Sequence, residues 1–236
     1  TRTRRQRQMC IRDRQYYQPQ NSVVSNGTLK IIAQHEPNGL VDSWNNTYYY
    51  SSSRIVTRDK FEFQYGKIAA RIKTLDGQGF WPAFWMLPSN HSWPCDGEID
   101  IMEQWGNNGP TNVTTGAAHV GLCPYSSTNH QYQSSSYQIN NGSFADNFHT
   151  YEIIWRPNKI EWFVDGSKFF EVDSNSFNQI YTWPFNSNQW YLILNLAITS
   201  GGPSSSTVFP NQIEIDYVRV YEEIGGVSGC TLSLIH

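Results

Sequence analysis

The residues best suited to chemistry lie in the stretch GEIDIMEQWG, positions 97–106, where Glu98, Asp100 and Glu103 are separated by Ile99, Ile101 and Met102. Carboxylates that flank one groove can split a glycosidic bond, one attacking the sugar carbon and the other donating a proton to the leaving oxygen. That chemistry needs the acids on one face. Strand side chains alternate, so Glu98 and Asp100 share a face, while strict alternation sends Glu103 to the side of Ile99 and Ile101. A β-bulge within Ile101-Met102 restores the phase, because two residues there then oppose one on the neighbouring strand. The outer glutamates then stand about four strand positions apart, ~13 Å between α-carbons. Side chains leaning together bring their carboxyls near the ~5–5.5 Å of retaining glycosidases, closer than inverting enzymes need.

The roles follow from charge. Glu98 is the expected ionised nucleophile. Glu103, kept protonated by neighbouring negative charge and a partly apolar cleft, is the expected acid and, after the first step, the base that activates water. Asp100 lies between them, where it can hydrogen-bond Glu98 and hold it in line, and the three titrate as a coupled set. The other readings of the triplet are an acidic strand facing solvent and an oxygen-rich site for Mg²⁺ or Ca²⁺. Gly97 before, Trp105-Gly106 after and the apolar residues between do not resemble a casual surface.

Strands must position these acids. The body of the chain reads as short strands divided by Gly, Asn, Ser and Pro, with no stretch of helical period. FEFQYGKIAARIKTL alternates Phe61, Phe63 and Tyr65, then restarts after Gly66 with Ile68, Ala70 and Ile72, leaving Lys67, Arg71 and Lys73 on the other face. YEIIWRPNKIEWFVDGSKFFEV reads as consecutive strands with Asp165-Gly166 as a type I′ turn. WYLILNLAI sets Trp190, Leu192, Leu194, Leu196 and Ile198 against Tyr191, Ile193, Asn195 and Ala197. Many short strands without helices imply a two-sheet sandwich or a barrel, and the lack of a 20–50-residue repeat argues against a propeller or solenoid. One domain, residues 15–223, is expected.

The 236 residues carry a formal charge of −3, yet Arg2, Arg4, Arg5, Arg7, Arg12 and Arg14 lie in the first fourteen positions beside Asp13 alone. Without that segment the body has eleven basic and nineteen acidic residues, a net of −8 that disfavours phosphate backbones. Residues 1–14 are read as a non-native leader rather than a nucleic-acid arm, and residues 224–236, ending GCTLSLIH, as a non-native or disordered tail. No nucleic-acid partner is expected. The longest apolar run, YLILNLAI, is far shorter than the ~20 residues of a membrane span, so no membrane partner is expected either. Five Asn-x-Ser/Thr sequons, at Asn26, Asn45, Asn90, Asn112 and Asn141, permit secretion. Cys95 and Cys123 are either a disulfide or two free thiols.

At this point Glu98-Ile-Asp-Ile-Met-Glu103 resembles the signature of glycoside hydrolase family sixteen, and GFWPAFWMLP (79–88) resembles its laminarinase branch. The resemblance runs on through YGKIAARIK, FHTYEIIWRPNKIEWFVDG, LILNLAI and IEIDYVRVY, nearly all of 15–223. It implies an all-β jelly-roll sandwich of two curved antiparallel sheets, concanavalin-like, with the catalytic cleft on the concave face. Met102 gives the spacing of the bulged laminarinases, agarases and carrageenases. The implied activity is that of a secreted, monomeric, retaining endo-β-1,3-glucanase on laminarin-like glucan, extending to mixed-linkage β-1,3-1,4-glucan. The alternatives are an agarase- or carrageenase-type specificity and a non-catalytic β-glucan recognition module, which would lack one or both glutamates.

Several residues join the acids as candidates for the sugar. Trp81 and Trp85 share a face by parity and offer stacking surfaces, with Trp105 beyond the acids on the leaving-group side. The resemblance adds His119, beside the acids and near Glu103, and Arg71, whose five donors suit hydroxyls. Asn21 and Asn195 are weaker candidates. No metal or cofactor is required. The resemblance raises a structural calcium on Asp216 with N-terminal groups, but those groups are unrecognisable here and occupancy is not expected. The leader also stands where relatives carry an edge strand, so that strand is expected to be missing or supplied by foreign sequence.

Overall fold

Alternating apolar runs separated by turn residues fold here into two facing sheets. The computed structural model describes residues 14–224 except 91 and 107–109, together with the strand 227–233, with side chains described as far as Glu222. Sixteen strands form among these residues. They are β1 (Gln15–Tyr17), β2 (Ser22–Ser25), β3 (Thr28–Val41), β4 (Thr47–Ser52), β5 (Arg54–Val56), β6 (Gly66–Lys73), β7 (Phe80–Pro88) and β8 (Glu98–Glu103). The chain continues with β9 (Val113–Gly121), β10 (His130–Gln138), β11 (His149–Arg156), β12 (Lys159–Val164), β13 (Ser167–Asp173), β14 (Trp190–Ile198), β15 (Asn211–Ile224) and β16 (Val227–Ser233). Helix among the described residues is limited to single 3-10 turns at Pro19–Asn21 and Pro184–Asn186.

The larger sheet runs β1-β4-β3-β15-β6-β11-β12-β13, with β2 beside β3 and β16 beside β15; the smaller runs β10-β9-β8-β7-β14-β5. Pairing is antiparallel except between β1 and β4. Period-two burial decides which faces meet. From the small sheet Trp190, Leu192, Leu194, Leu196 and Ile198 of β14 enter the core, and from the large sheet Ile68, Ala70 and Ile72 of β6 and Ile160, Trp162 and Val164 of β12 oppose them. The opposite face of the small sheet carries a second apolar group, Ala83, Trp85, Leu87, Tyr191 and Ile193. Asp165 and Gly166 both take positive φ, 49° and 77°, as the type I′ turn between β12 and β13 requires.

Three expectations need correction. The alternating run at 61–65 does not make a strand: it forms one bridge, Phe63 to Trp190, before β6 begins at Gly66. Residues 227–233, read as a tail, pair antiparallel with Arg219–Ile224 and occupy an edge of the large sheet. Ile224 opposes Val227, and the two glycines between them in sequence are a two-residue hairpin signal. Arg14, assigned to the leader, already belongs to the body, its backbone N–H bonding the Ile198 carbonyl at 2.9 Å. The rest of the leader, 1–13, and residues 234–236 lie outside the described residues.

Candidate active site

The phase of β8 changes where the sequence requires it. Glu98 opposes His119, Ile99 opposes Ala118 and Asp100 opposes Ala117 on β9, but the next pair is Glu103 with Thr115, so Ile101 and Met102 together face Gly116. The other neighbour agrees: Asp100 opposes Trp85 on β7 and Met102 opposes Phe84, leaving Ile101 as the extra residue. Ile99, Ile101 and Met102 are all buried in the core, and the three acids share the opposite face with Trp85 and Ala83. Along β9 the two glutamates are four positions apart, ~13 Å at strand rise.

Side chains hold the bulge. The Trp162 indole, wholly buried, donates Nε1–H to the Asp100 carbonyl at 2.8 Å, and the Thr114 hydroxyl donates to the Glu103 carbonyl at 3.3 Å. Gly116 makes room for that indole, since a Cβ there would sit 2.5 Å from Trp162 Cδ1. Gly97 opens the strand at φ 84°, a conformation that L side chains rarely adopt.

The carboxyls occupy an electrostatically costly place. Burial pushes Glu103 up to about 8, with the nearby Asp100 adding to the rise, while His119 and the Trp81 N–H, 2.9 Å from Oε1, pull the other way. Asp100 is 3% exposed and is raised by burial. Glu98 is raised by burial and by Asp100, and drawn back by His119, Glu103 adding a little and Arg54 subtracting a little. Glu98 and Asp100 therefore titrate as a pair, and the Arg54 guanidinium, which bears on Glu98, favours placing the charge there. One oxygen from each of these two and a His119 ring nitrogen lie within 4.8 Å of one another. His119 Nε2 is 3.0 Å from Asp100 Oδ2, a close polar contact whose angle falls outside hydrogen-bond geometry. This corrects one expectation, since His119 touches Asp100 and not Glu103.

The aromatic candidates stand around the acids. Trp81 stacks on Trp105 with centroids 4.0 Å apart, and Trp105 keeps 49% exposure, so the pair forms a wall at the Glu103 end. Trp85 opposes Asp100 and bonds Asn195 Oδ1 through Nε1 at 2.7 Å. Asn195 Nδ2 in turn reaches the Tyr17 hydroxyl at 3.4 Å, so Asn195 anchors Trp85. Arg54, opposite Asn195 on β5, places its guanidinium 4.9 Å over the Trp85 ring. Sequence reasoning missed Arg54, because a three-residue edge strand has no periodicity to read. It also missed His130, Tyr132 and Trp93 beyond His119. His130 Nε2 lies 3.0 Å from His119 Nδ1, Tyr132 stacks on His119, and Trp93 packs on His130. The loops at Trp93 and Tyr125 are joined by the Cys95–Cys123 disulfide, with α-carbons 5.6 Å apart.

Two candidates lie elsewhere. Arg71 projects from β6 in the large sheet, where it pairs with Asp216 and packs 4.8 Å over Phe148. Parity set it opposite the core but could not say which sheet it belonged to. Asn21 is 2% exposed, and its amide donates to the Ile32 carbonyl and the Ser51 hydroxyl, so it serves the fold rather than a ligand. Asp216 does not fit a calcium site as it stands, because the Arg71 guanidinium already neutralises its carboxylate.

Comparison with known proteins bears on this geometry. The profile of glycosyl hydrolases family 16 matches residues 12–219. A glucan endo-1,3-beta-glucosidase A1 of Niallia circulans is 35% identical over 86% of this chain and 31% of its own length. A beta-glucanase of Rhodothermus marinus is 34% identical over 88% of this chain and 73% of its own length. The chain thus spans about a third of the first relative and about three quarters of the second. The laminarinase catalytic domain of Thermotoga maritima superposes with a TM-score of 0.81 at 36% identity, covering 90% of this chain and 84% of that one. A bulged β8 with three carboxyls on the outer face of a jelly-roll sheet, and a family profile that spans nearly the whole body, lead to one assignment: the chain belongs to glycosyl hydrolase family 16.

Proposed function

We propose that this protein is a retaining endo-β-1,3-glucanase that cleaves laminarin-like glucan, with mixed-linkage β-1,3-1,4-glucan as a second substrate. The observation that carries the reading is the bulge, which aligns Glu98, Asp100 and Glu103 on one face at a spacing suited to double displacement. Ionised Glu98 attacks the anomeric carbon while Glu103 gives its proton to the departing glycosidic oxygen. That breaks the C–O bond and leaves a glycosyl ester on Glu98. Glu103, now a carboxylate, takes a proton from water, and the resulting hydroxide displaces Glu98. Trp105, half-exposed and backed by Trp81, supplies a face for a pyranose ring, Arg54 supplies donors for hydroxyls, and Trp85, 5% exposed beneath the Arg54 guanidinium, supports that arginine rather than stacking on sugar.

Further parts of the reading rest on separate grounds. A monomer suffices, because one chain supplies every group named. Secretion is favoured by the Cys95–Cys123 disulfide, a bond that persists in oxidising compartments. No metal takes part, given the Arg71–Asp216 pair, so EDTA is expected to leave turnover unchanged; a loss that calcium restores would reverse this.

The test is a substrate panel of laminarin, mixed-linkage glucan, agarose and carrageenan followed by reducing ends. Release from laminarin is expected. Silence on all four would favour a binding module, and release from agarose or carrageenan alone would move the specificity. Proton NMR of the first-formed product should show the β-anomer, and initial α-anomer would rule out retention.

A further inference from the structure

His119 and His130 lie on adjacent strands, β9 and β10, in nearly coplanar rings 3° apart, with His119 Nδ1 and His130 Nε2 separated by 3.0 Å. An N···N contact of this length is a hydrogen bond and needs one proton between the two nitrogens. At the far side of the His119 ring, Nε2 stands 3.0 Å from the buried Asp100 Oδ2. When the proton shared by Glu98 and Asp100 is not on this oxygen, a lone pair on Nε2 would face another lone pair across 3.0 Å, so Nε2 carries the hydrogen. In neutral His119 that leaves Nδ1 as an acceptor, and the donor must be His130 Nε2–H.

We propose that His130 is a positioning residue that fixes His119 in the Nε2–H tautomer and thereby fixes which group faces Asp100. The His130 ring is itself held on three sides, by Trp93 at 4.9 Å, Tyr125 at 5.9 Å and Tyr132 at 6.1 Å between centroids. Trp93 and Tyr125 come from the two loops that Cys95–Cys123 joins, so a covalent staple sets the packing around this imidazole. Burial, aided by His119, holds His130 down at about 4, so it is neutral wherever the acids are at work. The ionisable groups that bear on the pair are Asp100, Glu98 and Glu103 on β8, the phenols of Tyr125 and Tyr132, and Arg54 acting through Glu98. With the tautomer fixed, Nε2–H keeps Asp100 Oδ2 an acceptor, so the proton shared by the pair is left to the other Asp100 oxygen, from which it can be donated to ionised Glu98. Without the His130 donor, His119 can turn its lone pair toward Asp100, which draws the shared proton onto Oδ2 and takes away the hydrogen bond that holds Glu98 in line.

The test uses the full chain labelled with ¹⁵N-histidine. In the wild type, His119 should show a protonated Nε2 and an acceptor-type Nδ1. His130→Phe should mix the tautomers, lower kcat on the order of tenfold with KM changed less than about twofold, and shift the pH profile. His130→Gln, which keeps an N–H donor on a planar group, should recover most of both losses. A wild-type spectrum with Nδ1 protonated and Nε2 bare would overturn the proposal. So would an unchanged tautomer and pH profile in His130→Phe, or a His130→Gln enzyme as impaired as His130→Phe. If His130→Phe fails to fold by circular dichroism, the wild-type spectrum and the glutamine variant still decide. The kinetic arm rests on the glucanase reading, whereas the tautomer arm does not, so inactivity on every glucan would fault that reading alone.

Discussion

Gly116→Ala probes the bulge with a single methyl. Gly116 faces Ile101 and Met102 across the ladder, and a Cβ there would sit 2.5 Å from Trp162 Cδ1, 2.8 Å from Nε1 and 3.0 Å from Cγ. Trp162 is fully buried against Phe170 and has no slack to give. Overpacking a filled core costs about 1–3 kcal/mol. If the indole moves, the Asp100 carbonyl also loses its donor at 2.8 Å, which adds about 1–3 kcal/mol for a buried unsatisfied acceptor. The sum, roughly 2–4 kcal/mol after partial relaxation, lowers the melting temperature on the order of 5–15 °C for a domain of this size. The same movement displaces Asp100 relative to Glu98, and a misplacement of about 1 Å is enough to reduce kcat up to roughly a hundredfold. Thermal melts and laminarin kinetics at 25 °C read both effects. Trp162→Phe removes the same N–H without overpacking, and should cost the second increment plus a term for the smaller ring. A Gly116→Ala protein that melts and turns over like the wild type would refute the claim that this contact holds the bulge.

Other perturbations follow from the same site. Between about pH 4.5 and 8 native Glu103 keeps a proton that the unfolded chain releases, so this group's contribution to stability is fully present below about 4.5 and is lost as pH rises toward 8. Glu103→Gln should therefore stabilise the fold by up to a few kcal/mol at pH 8 and hardly at all near pH 4.5; a stability gap constant across that range in denaturant titrations would contradict it. Trp81→Phe deletes an N–H that favours the Glu103 carboxylate, so the alkaline limb of kcat/KM should move to higher pH, and an unmoved limb would detach Trp81 from the acid. The paired change Cys95→Ser with Cys123→Ser opens a link between positions 28 apart, and should cost about 3.5 kcal/mol in the chain-entropy model, seen as a lower urea midpoint; an unchanged midpoint would assign the disulfide no stabilising part.

The acids were legible because their spacing conflicts with strand parity, and only a bulge at Ile101-Met102 removes the conflict while keeping apolar residues in the core. Parity likewise placed Trp81 and Trp85 on one face and split β14 into a core side and an outer side. Arg71 came in through the resemblance of YGKIAARIK, and parity, which says nothing about which sheet a strand joins, offered no check that its strand lies on the layer away from the acids. Burial of side-chain amides is equally silent in one dimension: Asn21 and Asn195 look like free donors until Ile32, Ser51 and Trp85 are seen to engage them. Arg54 and His130 depend on contacts across sheet neighbours distant in sequence, and neither has a local pattern. The hairpin that adds β16 had its signal in Gly225-Gly226, which composition near the chain end obscured.

The central claim is that β8 delivers Glu98 as the nucleophile and Glu103 as the acid. It is tested most directly by trapping the intermediate with a 2-deoxy-2-fluoro-β-laminaribiosyl fluoride and locating the adduct by peptide mass spectrometry. A stoichiometric glycosyl ester on Glu98, the first residue of EIDIMEQW, placed by fragmentation of that peptide, is the expected result. An ester on Glu103, or turnover of laminarin with no ester on either glutamate, would contradict the assignment.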